Sequence, residues 1–211
     1  MRTYVIDNKN RHAHQNQLTQ MFCHRKVLFV DRLGWANMVV QDGQERDEAD
    51  GDKDVVYLIT TDHKGAVVGS CRLTPTTGEC LLGGPLASYL EAPIARNETS
   101  WELTRFAPSS DPADPLHGRS FACLATGVLE WALANGVDKV FGIAEPPLMA
   151  IAGGLGWRVT IEGPPVAYET GKAAFAFSFP VDEATITSTK TALRIEGAVL
   201  SIAPNRKEEA A

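Results

Sequence analysis

VVYLITTDHKGAVVGSCRL, residues 55–73, is the stretch that decides the fold of this chain. Two runs of apolar and β-branched residues, Val55–Thr61 and Ala66–Leu73, lie on either side of Lys64-Gly65. Because such residues favour strands and a Lys-Gly pair suits a tight turn, the pattern predicts a β-hairpin. The elements around this hairpin then determine the fold class.

After the hairpin, the expected elements alternate between strand and helix. They are strands at Trp101–Phe106, Lys139–Ile143, Trp157–Ile161 and Ala173–Phe179, and helices at Ser120–Asn135 and Pro147–Gly153. Pro108–Pro115 is expected to be a loop, and Gly136 is expected to end the long helix. This order predicts an α/β fold with a mixed sheet and helices on both faces.

An amphipathic helix is predicted before the hairpin, over residues 15–33. One face has apolar side chains at i, i+3, i+4 spacing, namely Leu18, Met21, Phe22, Leu28 and Phe29. Arg25 falls on the same face, where an apolar residue would be expected. Gly34 is the expected stop, and the acid-rich segment Gln41–Asp54 is expected to be a loop or a short second element.

Composition indicates a single globular domain. Of 211 residues, 44% are hydrophobic and 22% charged, and the formal net charge is −6. An acidic chain is a poor partner for nucleic acid, and the sequence shows neither a signal-peptide pattern nor a membrane-spanning apolar run. Four cysteines without C-x-x-C spacing are expected to be reduced in a cytoplasmic protein, and the histidines do not suggest a metal site.

Two clusters could bind a charged ligand. Arg25 and Phe29 lie one helical turn apart and Trp35 follows the helix, which would form a cationic and aromatic wall for a sulfonium-bearing substrate. A core helix with a snorkelling arginine would give the same pattern. Glu45, Asp47 and Asp50 repel one another unless a cation offsets them, although a solvated acidic loop is the simpler explanation of that segment alone.

Two strands contain unexpected charges. Arg72 lies near the end of an apolar strand, where a charged group should be paired or at the edge of a site. Trp101-Glu102-Leu103-Thr104-Arg105-Phe106 carries both an acid and a base. Period-2 alternation places Glu102 and Arg105 on opposite faces unless the strand bulges, and an internal ion pair is the alternative explanation.

Together these residues resemble the acyl-homoserine-lactone synthase family, the autoinducer synthases of bacterial quorum sensing. Every position of the family's charged and aromatic pattern is filled between residues 20 and 106. The resemblance implies an acetyltransferase-like (GNAT-like) α/β fold, a three-layer sandwich whose mixed, mostly antiparallel and splayed β-sheet is flanked by helices. It also implies a catalytic domain over residues 1–180 and a C-terminal extension over 181–211, partly helical or frayed.

The implied reaction moves an acyl group from a thioester of acyl carrier protein or coenzyme A to the amine of S-adenosylmethionine (SAM). Lactone closure then releases methylthioadenosine. Glu102 is the expected general base, directly or through water, with Arg72 and Arg105 holding it. The implied substrate-binding residues are Arg25, Phe29, Trp35, Asp47, Asp50, Phe106 and Gly142. SAM is a substrate here, and no metal or separate cofactor is expected.

The acyl group and its carrier are less constrained by the sequence. Gly142 stands where many family members carry Thr or Ser, which favours an unsubstituted, branched or aryl chain over a 3-oxo chain. Because it has no side chain, Gly142 is also expected to leave room in the acyl pocket. Few basic side chains lie between Arg105 and Lys172, so an acidic carrier protein has little to dock on and a coenzyme A thioester remains an alternative.

Two other functions fit parts of the pattern. A GCN5-like N-acetyltransferase would share the fold, but it should carry a glycine-rich pyrophosphate loop at a helix start, and Leu116–Ser120 is a degenerate version at best. A non-enzymatic relative that binds an acyl ligand or a partner should have lost the acidic and arginine positions, which are all present.

Overall fold

The computed structural model describes residues 1–169 and 171–201. The strands in this part are β1 (Arg2–Ile6), β2 (Val40–Gln41), β3 (Gln44–Glu45), β4 (Val56–Thr61), β5 (Val67–Pro75), β6 (Ser100–Ala107), β7 (Lys139–Ala144), β8 (Thr160–Ile161), β9 (Val166–Glu169), β10 (Lys172–Pro180) and β11 (Leu200–Ser201). The α-helices are α1 (Gln15–Arg25), α2 (Leu116–Ala134), α3 (Pro146–Gly154) and α4 (Glu183–Leu193).

Two units share these elements. Of the described residues, the first comprises Met1–Arg72, Arg105–Gly127 and 198–201, and the second comprises Leu73–Thr104 and Val128–Gly197. Strands β5 and β6 and helix α2 each contribute residues to both units. As a consequence, Glu102 belongs to the second unit and Arg105, three residues later in the same strand, to the first.

In the first unit the sheet is built around β1, which pairs antiparallel with β4 and parallel with β11. Strand β5 lies beside β4. Asp62 closes the turn between them, because its Oδ1 accepts the backbone N–H of Lys64 at 2.8 Å and of Ala66 at 2.9 Å. The predicted hairpin is therefore confirmed, and β1 is a strand that the sequence analysis did not predict.

Helix α1 continues without a break into a π-helical segment, Lys26–Arg32, so the predicted helix over 15–33 is confirmed with an altered second half. The predicted face is buried, and Arg25 on it has 0% exposure. The wider π turn, with its i→i+5 hydrogen bonds, changes which side chains follow Arg25 on that face. The backbone then turns at Gly34, whose φ is +72°.

In the second unit the strand order is β6-β7-β10-β8. Strand β6 runs parallel to β7, and β7 and β8 run antiparallel to β10. Strand β9 pairs antiparallel with the start of β10, and the register of this pair shifts between Lys172 and Ala173. The sheet is therefore mixed and mostly antiparallel, as expected.

Some predicted boundaries differ from the structure, and part of the expected extension is helical. Helix α2 begins at Leu116, about a turn earlier than expected, because Asp114 Oδ1 accepts the Leu116 N–H at 2.8 Å. The strand expected at Trp157–Ile161 is reduced to the two residues of β8. Residues 183–193 of the expected extension form α4, which buries Thr185, Ile186 and Thr189, and residues 202–211 lie outside the described part.

Among the described residues, none of the helices combines the length and apolarity needed to cross a bilayer.

Gly163 lies against the backbone of Tyr89 and Glu91. A Cβ at this position would come within 2.2 Å of the Tyr89 carbonyl oxygen, which cannot move away as a side chain would. We expect Gly163→Ala to lower the free energy of unfolding by about 1–3 kcal/mol. Gly153→Ala in α3 is the matched control, since no atom lies within 4 Å of its Cβ position. Chemical denaturation of both variants checks this, and equal stabilities would contradict it.

Candidate active site

Six charged side chains meet in the interior of the first unit, and we call them the arginine–carboxylate cluster. Its members are Arg25 of α1, Arg72 of β5, Arg105 of β6, Glu45 of β3, and Asp47 and Asp50 of the acidic segment. Five of them are residues singled out by the sequence pattern as catalytic or substrate-binding, and Glu45 joins them from the same acidic segment.

Arg25 reaches two carboxylates at once. Its Nη1 and Nη2 donate to the two oxygens of Asp50 at 2.8 and 2.9 Å, and its Nε donates to Glu45 Oε2 at 2.5 Å. The fork of the guanidinium matches the carboxylate in the Asp50 pair, which is the strong bidentate geometry. This arrangement explains why an arginine occupies the buried face of α1.

Arg72 and Arg105 bind the remaining carboxylate oxygens. Arg72 donates through Nη1 and Nη2 to both oxygens of Asp47, and its Nη1 also donates to Asp50 Oδ1 at 3.0 Å. Arg105 Nη2 donates to Glu45 Oε1 at 3.0 Å and to Asp47 Oδ2 at 2.8 Å. The two arginines expected around Glu102 are therefore partners of the acidic segment.

The cluster contains three positive and three negative groups, so its formal charge is zero. Burial disfavours ionisation of Asp50, but hydrogen bonds and charge from Arg25 and Arg72 outweigh burial and hold the pKa of Asp50 well below its ordinary value. Burial would lower the pKa of Arg72, but Asp47 and Asp50 raise it. The repulsion among the carboxylates is thus offset inside the protein.

Arg105 adopts an unusual backbone conformation, with φ at +51° in the left-handed region. Such a conformation costs a non-glycine residue about 1–3 kcal/mol. It interrupts the extended backbone of β6 at Arg105. The ion pairs of Arg105 offset this strain.

The predicted aromatic pair forms in the first unit. The rings of Phe29 and Trp35 stack with centroids 4.8 Å apart and planes inclined by 17°. The Arg105 guanidinium lies 5.9 Å from the centroid of the Phe29 ring. Phe106 packs edge-on against Phe121 of α2, at 5.5 Å. The π-helical segment therefore presents an aromatic face next to the arginine–carboxylate cluster.

A cavity of about 240 Å³ opens beside two of the clustered carboxylates in the same unit. It is lined by Arg11, Gln15, Leu18, Phe22, Arg46, Asp47, Asp50, Gly51 and Tyr57. Asp47 is the carboxylate with the greatest side-chain exposure, 21% against 4% for Asp50 and 0% for Glu45. Asp47 is therefore the member of the cluster best placed to meet a ligand.

Glu102 lies in the second unit with 2% exposure. Its Oε2 accepts the Leu81 N–H at 2.9 Å, and its Oε1 accepts the Leu82 N–H at 2.7 Å. Each oxygen thus has one backbone donor, and the hydrogen bonds fix the direction of the carboxylate. The Leu81 and Leu82 amides therefore act as fixed donors to this carboxylate.

Gly142 does not leave open space, contrary to the expectation from its missing side chain. It lies in β7 opposite Phe177 of β10, and a Cβ would come within 3.0 Å of Phe177 Cζ and 3.3 Å of the Leu103 carbonyl oxygen. The Phe177 ring therefore fills the volume that a side chain at position 142 would take. Sequence spacing cannot show this, because the covering ring comes from a strand 35 residues later.

Two contributors to the site were missed by sequence reasoning. The Tyr57 hydroxyl donates to Asp50 Oδ1 at 2.9 Å, and burial together with the Asp50 charge raises the pKa of Tyr57. Arg46 lies 4.1 Å above the ring of Phe22 and lines the cavity. Tyr57 is the polar member of an otherwise apolar start to β4, and that departure was the available signal.

The mixed sheet and its flanking helices are an architecture that this chain shares with acyl-CoA N-acyltransferases. A solved acyl-CoA N-acyltransferase from Pseudomonas aeruginosa covers 84% of this chain at 18% identity, is itself covered over 99% of its length, and has a TM-score of 0.56. At this identity the likeness shows the fold, and it confirms the predicted acetyltransferase-like architecture.

More specific similarities identify the family. The autoinducer synthase family model matches residues 9–189, and the chain belongs to that family. An acyl-homoserine-lactone synthase of Rhizobium etli is 36% identical over 143 residues, 67% of each chain. The solved CoA-dependent acyl-homoserine lactone synthase BjaI, with SAM and isopentyl-CoA, is 25% identical, has a TM-score of 0.86, and aligns over 97% of this chain and 94% of its own.

Removing one carboxylate from the cluster should leave three buried cations with only two carboxylates. We expect Asp50→Asn to lower the free energy of unfolding by about 3–5 kcal/mol at pH 7. Asp31→Asn, which breaks the exposed pair with Lys26, is the control and should cost about 0–1 kcal/mol. Urea denaturation of both variants measures the difference.

The stability lost in Asp50→Asn should also become smaller as the pH falls. Because the pKa of Asp50 is depressed in the folded state, its stabilisation is present above the ordinary aspartate value of about 4 and disappears as the pH falls through the folded value. The gap between the wild type and Asp50→Asn should therefore narrow from pH 5 toward pH 3. If the stability difference stays constant from pH 5 to pH 3, the pKa of Asp50 is not depressed in the folded protein.

Proposed function

We propose that this chain synthesises an acyl-homoserine lactone from SAM and an acyl thioester, releasing methylthioadenosine and a free thiol. The observation that carries the proposal is the arginine–carboxylate cluster. Arg25, Arg72, Arg105, Asp47 and Asp50 occupy the family's positions, and they meet in one buried group next to a stacked Phe29–Trp35 pair. Membership of the autoinducer synthase family supports the same reaction.

The first chemical step forms an amide. The SAM amine is protonated near neutral pH, so a base must remove a proton before the nitrogen attacks the thioester carbonyl. We assign this role to Glu102, whose carboxylate is oriented by the Leu81 and Leu82 amides. A C–N bond then forms, the C–S bond of the thioester breaks, and the thiol leaves with a proton.

The second step closes the lactone. The SAM carboxylate attacks its own γ-carbon, a C–O bond forms, and the bond from that carbon to the sulfonium sulfur breaks. The electron pair goes to sulfur, so methylthioadenosine leaves as a neutral thioether. Because the leaving group is already activated by its positive charge, this step needs mainly orientation.

The first unit would supply that orientation. Asp47 combines 21% side-chain exposure with hydrogen bonds from Arg72 and Arg105, so its carboxylate is held in place while it accepts from a ligand. The faces of Phe29 and Trp35 attract cations and suit the sulfonium end of SAM. Arg25 and Glu45, which are 0% exposed, would act by holding the acidic segment in position.

We propose coenzyme A as the acyl carrier. BjaI, described as CoA-dependent and solved with isopentyl-CoA, is among the similar structures. Acyl carrier protein is acidic and needs free basic side chains. In this chain Lys139 is paired with Glu162 at 3.1 Å, and Arg158 is paired with Asp182.

The four cysteines are free, which fits a reducing cytoplasm.

The reaction is tested by expressing the chain in a host that makes no such lactones and scanning the culture extract by mass spectrometry. Products that share the homoserine-lactone fragment are expected, and their masses identify the acyl group. Purified protein supplied with SAM and acyl-CoA or acyl carrier protein thioesters then decides the carrier. Acetylated amines without any lactone would instead support the N-acetyltransferase alternative.

Glu102→Gln should reduce lactone synthesis by about 10²–10⁴-fold, because the amide side chain cannot take a proton. It should also lower the melting temperature slightly, since a Gln NH₂ group would face one of the two backbone N–H donors. Glu98→Gln on the exposed segment before β6 is the control. Wild-type turnover in Glu102→Gln would show that the base is assigned to the wrong residue.

Gly142→Thr should crowd Phe177 and reduce turnover with the native thioester. Combining it with Phe177→Leu should restore part of both turnover and thermal stability, because the smaller side chain vacates the contested volume. Competition between thioesters of different chain shape measures acyl preference in each variant. If the double variant melts no higher than Gly142→Thr alone, the Phe177 contact does not explain the crowding.

A further inference from the structure

The loop that carries the two amide donors of Glu102 is GECLLGG, residues 78–84, which we call the 78–84 loop. Leu81 and Leu82 point their N–H groups at the Glu102 carboxylate from the inner side of this loop. The Leu81 carbonyl accepts the Gly84 N–H at 3.1 Å and the Leu86 N–H at 2.8 Å, so the chain turns tightly after the donors. The direction of both donors therefore depends on the loop staying closed.

Arg96 bridges the ends of the same loop from its outer side. Its Nη1 donates to the Gly78 carbonyl at 3.1 Å, and its Nη2 donates to the Gly83 carbonyl at 2.8 Å. One rigid guanidinium thus joins two backbone positions five residues apart, and its wide planar fork suits two separated carbonyls better than the compact ammonium of a lysine. Arg96 and Glu102 hold opposite sides of one loop.

Arg96 is itself held in place by its neighbours along the chain. The buried Thr76 hydroxyl donates to the Ala95 carbonyl at 2.8 Å, and the Thr76 N–H donates to the Ser100 carbonyl at 3.1 Å. These bonds fix the segment that bears Arg96 against the strand that leads into the loop. Arg96 therefore connects two backbone segments that are each held in place by hydrogen bonds.

The packing at Gly83 shows how closely the bridge fits. A Cβ there would lie 2.6 Å from Arg96 Nη2 and 2.8 Å from Cys80 Sγ. Only glycine permits this approach, so a methyl group at position 83 would displace the guanidinium without removing it. Burial, and after it the charge of Glu102, raises the pKa of the Cys80 thiol.

We propose that Arg96 is a positioning residue for the reaction: by closing the 78–84 loop, it keeps the Leu81 and Leu82 amides directed at the Glu102 carboxylate. The proposal rests on the proposed function, in which Glu102 takes the amine proton. Arg96 acts only through the loop, and its exposed side chain makes it dispensable for the core.

The test uses the purified full chain with SAM and its preferred acyl thioester. Arg96→Ala should lower kcat by about tenfold or more while the KM for SAM changes little, because misdirected donors disturb the base and not the substrate site. The acidic limb of the kcat/KM profile should move to higher pH, since a carboxylate that loses N–H donors binds a proton more readily.

Two further variants separate positioning from a structural role. Arg96→Lys should recover only part of the lost kcat, and Gly83→Ala should reproduce the pH shift with the arginine still present. Arg158→Ala, which removes an exposed arginine paired with Asp182, is the control and should leave both kcat and the pH profile unchanged. Melting temperatures of all variants show whether any loss follows from unfolding.

Wild-type kcat and pH profile in both Arg96→Ala and Gly83→Ala would overturn the proposal. If Glu102→Gln is inactive in the same assay, the proposed function survives that result. If Glu102→Gln is fully active, the role of Glu102 fails, and the role of Arg96 fails with it. If Arg96→Ala has wild-type kcat at temperatures below its melting transition, its loss of activity at higher temperature comes from unfolding. Arg96 would then have a structural role, and this result would also overturn the proposal.

Discussion

The first unit depends on burying three arginines together with three carboxylates. Taking one such charge out of water costs several kcal/mol, and only well-directed partners offset this cost. Arg25, Arg72 and Arg105 come from a helix and two strands, and all their partners come from one acidic segment, residues 45–50. Each element is therefore held in the position at which its charge is matched, which couples the local fold to the geometry of the candidate site.

The same interaction explains the irregular features nearby. The positive φ of Arg105 is a strained state that the ion pairs to Glu45 and Asp47 stabilise. The π-helical continuation of α1 leaves Arg25 in the cluster while Phe29 stacks on Trp35. Strain at these points is consistent with a site built for binding, since a fold selected for stability alone would favour regular elements.

The second unit orients its charged group in a different way. Glu102 is directed by two backbone N–H donors of the 78–84 loop, and Arg96 closes that loop from outside. Here backbone N–H groups supply fixed dipoles that orient the carboxylate. The oxygens of Asp50 are instead held by side chains, those of Arg25, Arg72 and Tyr57.

Local sequence patterns were sufficient to predict the hairpin, α2, α3 and the residues that carry charge, because periodicity and turn chemistry act over a few neighbouring residues. They could not decide what neutralises Glu45, Asp47 and Asp50, since the answer depends on arginines 20 to 60 residues away. They also predicted space at Gly142 that Phe177 fills from another strand. The chain's own sequence thus determined which groups are available, and tertiary packing alone decided which of them meet, because burial selects partners by position in space and not by separation along the chain.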